Sequence, residues 1–266
     1  MIRREITYRQ LFYYILAVYF LVWMILALII ICNSFHVLRY DRISGKAVLF
    51  SSFLVPSFVL YIFMKRRQEI DTPMEFLYCM AGEKGHARTA LVTFAFCMGQ
   101  LLLFVLCGRY VNGRIGAFLP VLPLALILEG LQETGLRGFL AEALNRELSF
   151  GLSAVLTGTI WGVLYLPLFM VEGAPYREIG FLFFLLNCVF QSIVLNALYL
   201  ITKSIAACVA FRTFWSAASF LFGGLMFTNS SYTICSTVEM ILIFSLVLYE
   251  QRRQKKDAEA GTMSGM

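Results

Sequence analysis

Leu128-Glu129-Gly130-Leu131-Gln132-Glu133-Thr134-Gly135-Leu136-Arg137-Gly138-Phe139-Leu140 places two carboxylates, an amide and a guanidinium at the end of an otherwise apolar run. The whole run has the length of a membrane span, and an ionisable group at membrane depth is a functional hypothesis by default. On a helix, Glu129, Glu133 and Arg137 fall at successive i, i+4 steps and form one polar stripe, with Gln132 beside it. That stripe must face other helices or water rather than lipid.

Composition agrees with this reading. The 266 residues are 60% hydrophobic and 14% charged, whereas soluble domains carry roughly 25% charged residues. The chain is therefore a multi-span membrane protein. Its net charge of +6 does not point to nucleic acid, because the basic residues lie between apolar runs and at the ends, as topology signals do. Seven cysteines (Cys32, Cys79, Cys97, Cys107, Cys188, Cys208 and Cys235) lie singly, without C-x-x-C spacing, and read as small buried hydrophobes.

Eight apolar runs follow one another: Leu11 to Cys32, Ala47 to Met64, Ala90 to Cys107, Ala117 to Asn145, Leu152 to Val171, Ile179 to Leu200, Ser204 to Leu225 and Tyr232 to Tyr249. The first is longer than a signal-peptide core and lacks a small-residue cleavage site, so it is expected to remain as a span. The predicted fold class is all-α, a polytopic bundle of about eight transmembrane helices. Residues 1–116 form an N-terminal three-helix region, 117–225 a core with the polar stripe, and 226–266 a last helix and basic tail. Residues 68–88 read as the longest interior loop. With an interior N-terminus, fifteen Lys and Arg fall on the interior side and six outside, which predicts an integral protein of the cell membrane with both termini cytoplasmic.

Arg212 lies mid-span in Cys208-Val209-Ala210-Phe211-Arg212-Thr213-Phe214-Trp215-Ser216, with no acidic neighbour on its own helix. Arginine stays protonated, so it needs a carboxylate from another span, Glu133 first and Glu129 second; the alternative is snorkelling. In the fifth run, Gly158 and Gly162 form a small-xxx-small pair for close helix packing, and Pro167 is expected to kink the helix just after Tyr165. Asn187, Gln191 and Asn196 on the sixth run read as interhelical amides.

The order Gln132-Glu133-x-Gly135-x-Arg137-Gly138-Phe139-Leu140, then Ile160-Trp161-Gly162-x-x-Tyr165-x-Pro167-Leu168, then Thr202-x-Ser204-Ile205, Arg212 and Ser216 resembles the CPBP family of intramembrane proteins. That family includes type II CAAX prenyl endopeptidases and bacteriocin-processing and self-immunity proteins. The resemblance covers Ala117 to Ser219. It implies paired glutamates followed by x-x-x-Arg, then an aromatic-x-x-x-His motif, then His-x-x-x-Asn. It further implies that a glutamate and the first histidine activate water, while the later histidine and asparagine stabilise the oxyanion.

Here the first glutamate position holds Gln132, the second Glu133 and the arginine position Arg137. The first histidine position holds Tyr165, four residues after Trp161, and the later histidine and asparagine positions hold Arg212 and Ser216. An amide accepts no proton at working pH, and a phenol is a poor base near neutrality. Arg212 would hold a nearby Glu133 in an ion pair and so weaken it as a base. The two histidines, His36 and His86, fall in loops on opposite sides of the membrane, so no zinc site with three clustered ligands is expected.

The sequence thus predicts a proteolytically impaired or inactive homologue without a cofactor. Its polar cavity, framed by Glu129, Gln132, Glu133, Arg137, Tyr165, Arg212 and Ser216, would bind a hydrophobic or lipidated peptide, or the protein would regulate a membrane partner. Glu133 and Arg137 are the candidate catalytic remnants and the other five the candidate substrate contacts. Two other readings remain: an active endopeptidase using Glu133 with Glu129, and a transporter or immunity subunit with the stripe as its path.

Overall fold

The computed structural model describes residues 6–35, 37, 42–81, 87–107, 115–174, 180–221, 236–250 and 252. Helix α1 (Tyr8–Ser34) opens on a capping box, in which the Thr7 hydroxyl accepts from the Gln10 backbone and the Gln10 side chain accepts from the Thr7 backbone. It is followed by α2 (Ile43–Arg66), α3 (Pro73–Ala81), α4 (Ala87–Cys107), α5 (Phe118–Glu147), α6 (Phe150–Leu164), α7 (Phe181–Thr202), α8 (Ile205–Leu221) and α9, over 236–250. The fold is all-α, and six described helices are long and apolar enough to cross a membrane. These correspond to the first six apolar runs; the seventh and eighth runs appear as the shorter helices α8 and α9, with 222–235 between them outside the described residues.

The outer helices bury one stripe and leave the rest to lipid, whereas 132–141 of α5 and 191–199 of α7 are buried all round. On α1, Tyr14, Val18, Val22, Leu26 and Ile29 are buried, whereas Leu16, Phe20, Met24 and Leu28 are exposed. Lipid tails are as apolar as leucine, so helix association rests on close packing and interhelical hydrogen bonds. Among the described glycines, Gly158 makes the closest approach to another helix's backbone: a Cβ there would lie 2.6 Å from the Val189 Cα and 2.9 Å from the Cys188 carbonyl oxygen, so α6 sits against the backbone of α7. The Trp23 indole N–H donates to the Leu164 carbonyl (3.0 Å) and the Tyr19 hydroxyl to that of Ile160 (2.6 Å), tying α1 to α6.

Polar contacts cluster at the helix ends. Arg67 donates to Gln10 (3.3 Å), Arg88 pairs with Glu250 (2.9 Å), and Glu142 accepts from both the Tyr199 hydroxyl (2.7 Å) and Arg146 (3.1 Å). Near the end of α1 the Asn33 amide donates to the carbonyl of Glu172, eight residues beyond α6, at 3.1 Å.

Three local expectations are corrected. Residues 68–88 are not simply a loop, because Pro73 starts α3; Phe76 packs edge-on against Tyr61 and is buried, as is Met80. Pro167 does not kink a continuing helix. The α-helix stops at Leu164, Tyr165 caps it, and a 3-10 turn, Leu166–Met170, follows, since proline can continue neither the hydrogen bonding nor the packing of the preceding turn. The third correction concerns α5. It is not a uniform α-helix, for Leu126–Gly130 and Leu136–Ala141 are π-helical.

The first π-turn begins just after Pro123, which has no backbone N–H to donate. The Leu131 N–H bonds back five residues to the Leu126 carbonyl at 2.8 Å. The Leu131 carbonyl is in turn met by the hydroxyls of Ser57 on α2 and of Thr134. A π-turn adds a residue per turn and re-aims the side chains that follow it, which matters directly for the polar stripe.

Candidate functional site

Because of the π-turns, Glu129, Glu133 and Arg137 do not form one continuous stripe. Glu129, inside the first π-turn, points to α8, where its Oε2 lies 2.6 Å from Arg212 Nη2. Glu133 turns into the bundle and meets Arg137 one turn on, with Oε2 3.1 Å from Nη1 and both side chains fully buried. The first-choice partner for Arg212, Glu133, is therefore corrected to Glu129. The physical reason is that Arg137, four residues away on the same helix, neutralises Glu133 locally, while the widened turn carries Glu129 across to α8.

Gly130 makes this approach possible. A Cβ on it would collide with the Thr213 hydroxyl and lie 3.3 Å from the Val209 carbonyl, so the glycine lets α5 lie directly on α8 beside the pair. Arg212 is not snorkelling. Its side chain is 6% exposed, and its guanidinium carbon lies 4.5 Å from the ring centroids of both Trp161 and Trp215. Both indoles thus contact the guanidinium while its Nη2 meets Glu129, and arginine suits such a place because its broad, weakly hydrated cation stacks on aromatic rings more readily than an ammonium. Trp161 comes from the motif quoted above, whereas Trp215 was missed; its signal was the i, i+3 spacing from Arg212.

Gln132 and Tyr165 also come together, the Tyr165 hydroxyl donating to Gln132 Oε1 at 3.3 Å. The Tyr165 ring stacks at a tilt on Phe53, 5.1 Å between centroids, so α2 backs this pair. Ser216 lies one turn beyond Arg212 and is half-buried, and no described contact joins its side chain to the cluster. Asn187, Gln191 and Asn196 are buried on α7.

Several buried polar atoms here have no hydrogen bond of good geometry, among them Arg212 Nε and Nη1, Glu129 Oε2, the three Arg137 guanidinium nitrogens, both Glu133 oxygens, Gln191 Oε1 and both amide atoms of Asn196. The Glu129–Arg212 and Glu133–Arg137 contacts are thus close enough for ion pairs but poorly directed as hydrogen bonds. Both arginines and Gln191 keep hydrogen-bonding capacity that the described protein groups leave unused, which is uncommon for buried polar atoms.

Beside the cluster an apolar groove of about 860 Å³ runs along α5 and α8, lined by Leu122, Leu126, Val209, Ala210 and Phe214, with Thr134 and Thr213 as its polar residues. Leu77 and Met80 of α3 line it as well. Among the described residues no three His, Cys, Asp or Glu side chains gather as metal ligands; His36 and His86 lie outside the described residues.

No curated protein matches the chain significantly. Residues 114–218 match a family model, and this stretch runs from the start of α5 to α8, holding every residue of the cluster. At family level, then, this segment matches the Rce1-like type II CAAX prenyl endopeptidases, consistent with the CPBP type of intramembrane endopeptidase.

Proposed function

We propose that the chain binds a hydrophobic or lipidated peptide within the membrane on a CAAX-endopeptidase scaffold from which peptide hydrolysis has been lost. The observation that carries this reading is the pairing of both carboxylates in the cluster with arginines, Glu129 with Arg212 at 2.6 Å and Glu133 with Arg137 at 3.1 Å. A general base must be free to take a proton from water. A carboxylate committed to an ion pair is not free to take that proton, and the amide and phenol at Gln132 and Tyr165 supply no base near neutrality.

Binding makes different demands. It needs an apolar trough for the chain and buried donors and acceptors for the backbone. The groove along α5 and α8 supports the first requirement, and the unused donors of Arg212 with the Gln191 carbonyl support the second. In this reading Glu129, Gln132, Tyr165, Arg212 and Ser216 face the peptide, and Glu133 with Arg137 holds the bent helix α5.

The test uses the full chain in nanodiscs and a fluorescent farnesylated peptide. Saturable binding without cleavage is expected. Cleavage that disappears in Glu133→Gln would instead establish an active endopeptidase using Glu133 with Glu129.

The same reading has eight spans, with α8 and α9 as the last two, and both termini in the cytoplasm. Its support is the distribution of Lys and Arg, fifteen against six. A reporter fused after residue 266 is expected on the cytoplasmic face; protease access to it from outside intact cells would overturn the orientation.

A further inference from the structure

A further acidic side chain, well away from Arg212 in the chain, lies midway along the eighth apolar run, which is the last span in the eight-span reading above. Glu239 is on α9, which ends at the Arg88–Glu250 bridge at the start of α4. Glu239 stands eleven residues from Glu250, and Gly99 stands eleven residues from Arg88. At 1.5 Å per residue both lie about 16 Å from the bridge, near the middle of a hydrocarbon core about 30 Å thick. Their equal depth is borne out by a cavity of about 180 Å³ that both line, together with Phe96, Leu242, Ile243 and Leu246.

Glu239 is the ionisable group in that lining. It is half-buried and makes no hydrogen bond or ion pair with a described residue. The adjoining stretch 222–235 contains no Lys or Arg. A carboxylate in hydrocarbon is neutralised by a proton or by a cation brought to it, and its apolar surroundings supply neither counter-charge nor hydrogen bond. At the same level, a Cβ on Gly99 would meet nothing within 4 Å, so the floor of the groove is open to another helix. Leu242 and Leu246 form an exposed apolar rim.

We infer that the groove between α4 and α9 docks a membrane-spanning helix of a partner protein that carries a Lys or Arg at mid-bilayer. The cation pairs with Glu239, and the partner backbone lies over Gly99, where a small residue permits close approach. A second copy of the chain fits less well, because its own mid-span arginine, Arg212, is buried and already paired with Glu129. This inference uses none of the peptide-binding residues and rests only on the reading of α9 as a span.

The full chain, donor-labelled in phosphatidylcholine vesicles, is mixed with an acceptor-labelled single-span Leu-Ala helix bearing one central Lys, and with the same helix bearing Leu there. Energy transfer should report association about tenfold tighter for the Lys helix, a preference worth about 1.4 kcal/mol at mid-membrane. Glu239→Gln should equalise the two helices. Gly99→Leu, which keeps the carboxylate but fills the groove, should weaken both, and its unobstructed position makes it compatible with folding. Equal association of both helices with the unaltered chain would overturn the proposal. So would a Lys preference that survives Glu239→Gln, or self-association of the chain that needs Glu239 and no added helix.

Discussion

Glu133→Leu is expected to destabilise the protein by about 3–5 kcal/mol, because it leaves the fully buried Arg137 without its counter-charge. Arg137→Met should cost a similar amount by stranding the carboxylate. The double variant should lie far closer to the unaltered protein than the sum of the two. Two well-packed apolar side chains can replace a buried ion pair at little net cost, since the desolvation of both charges is avoided. Thermal unfolding of all four proteins in one detergent measures the coupling. Additive losses would mean that the two side chains stabilise α5 independently, and the role assigned to the pair would fall with them.

The size of that effect follows from where the pair sits. Phe139, Leu140 and Ala141, close to Arg137 in the chain, are buried as well, and Phe139 packs on both Tyr14 and Phe63. A stranded charge there has no route to water short of opening the contact between α5 and its neighbours. Glu133 and Arg137 thus hold the second π-turn from within, and Glu142, between Tyr199 and Arg146, anchors its far end to α7.

Much of this was readable in the sequence because membrane depth makes polar residues conspicuous. Glu129, Glu133, Arg137 and Arg212 stand out against their apolar surroundings, and the need of Arg212 for a carboxylate on another helix follows from its permanent charge. The choice between Glu133 and Glu129 was not readable. Ideal helical periodicity puts both on one face, and the π-turn that separates them depends on Pro123 together with tertiary contacts from Ser57 and Thr134 to the Leu131 carbonyl. The stop at Leu164 was half-readable. Pro167 marks the place, but whether the chain bends or ends its helix depends on what packs next to it. Helix α3 was hidden because a nine-residue helix between spans carries too little periodicity to rise above a polar loop.

The pairing of Arg212 with Glu129 leads to a second expected result, with a different pattern of losses. Arg212→Ala removes the ion pair and both indole contacts, whereas Glu129→Ala removes the ion pair alone. Arg212→Ala leaves a carboxylate that is 28% exposed and so partly solvated, whereas Glu129→Ala leaves a guanidinium that is 6% exposed and keeps only its two indole contacts. Each substitution should therefore cost about 2–4 kcal/mol, the stranded cation in Glu129→Ala offsetting the lost cation–π contacts in Arg212→Ala. Arg212→Lys should recover little of this, since a compact, strongly hydrated ammonium cannot contact both Trp161 and Trp215 and the carboxylate as the broader guanidinium does. In a double-mutant cycle Arg212 should couple strongly to Glu129 and weakly to Glu133, whose charge Arg137 already balances. Coupling to Glu133 that exceeded coupling to Glu129 would place the arginine on the other carboxylate, and would return α5 to the single polar stripe of an unbroken α-helix.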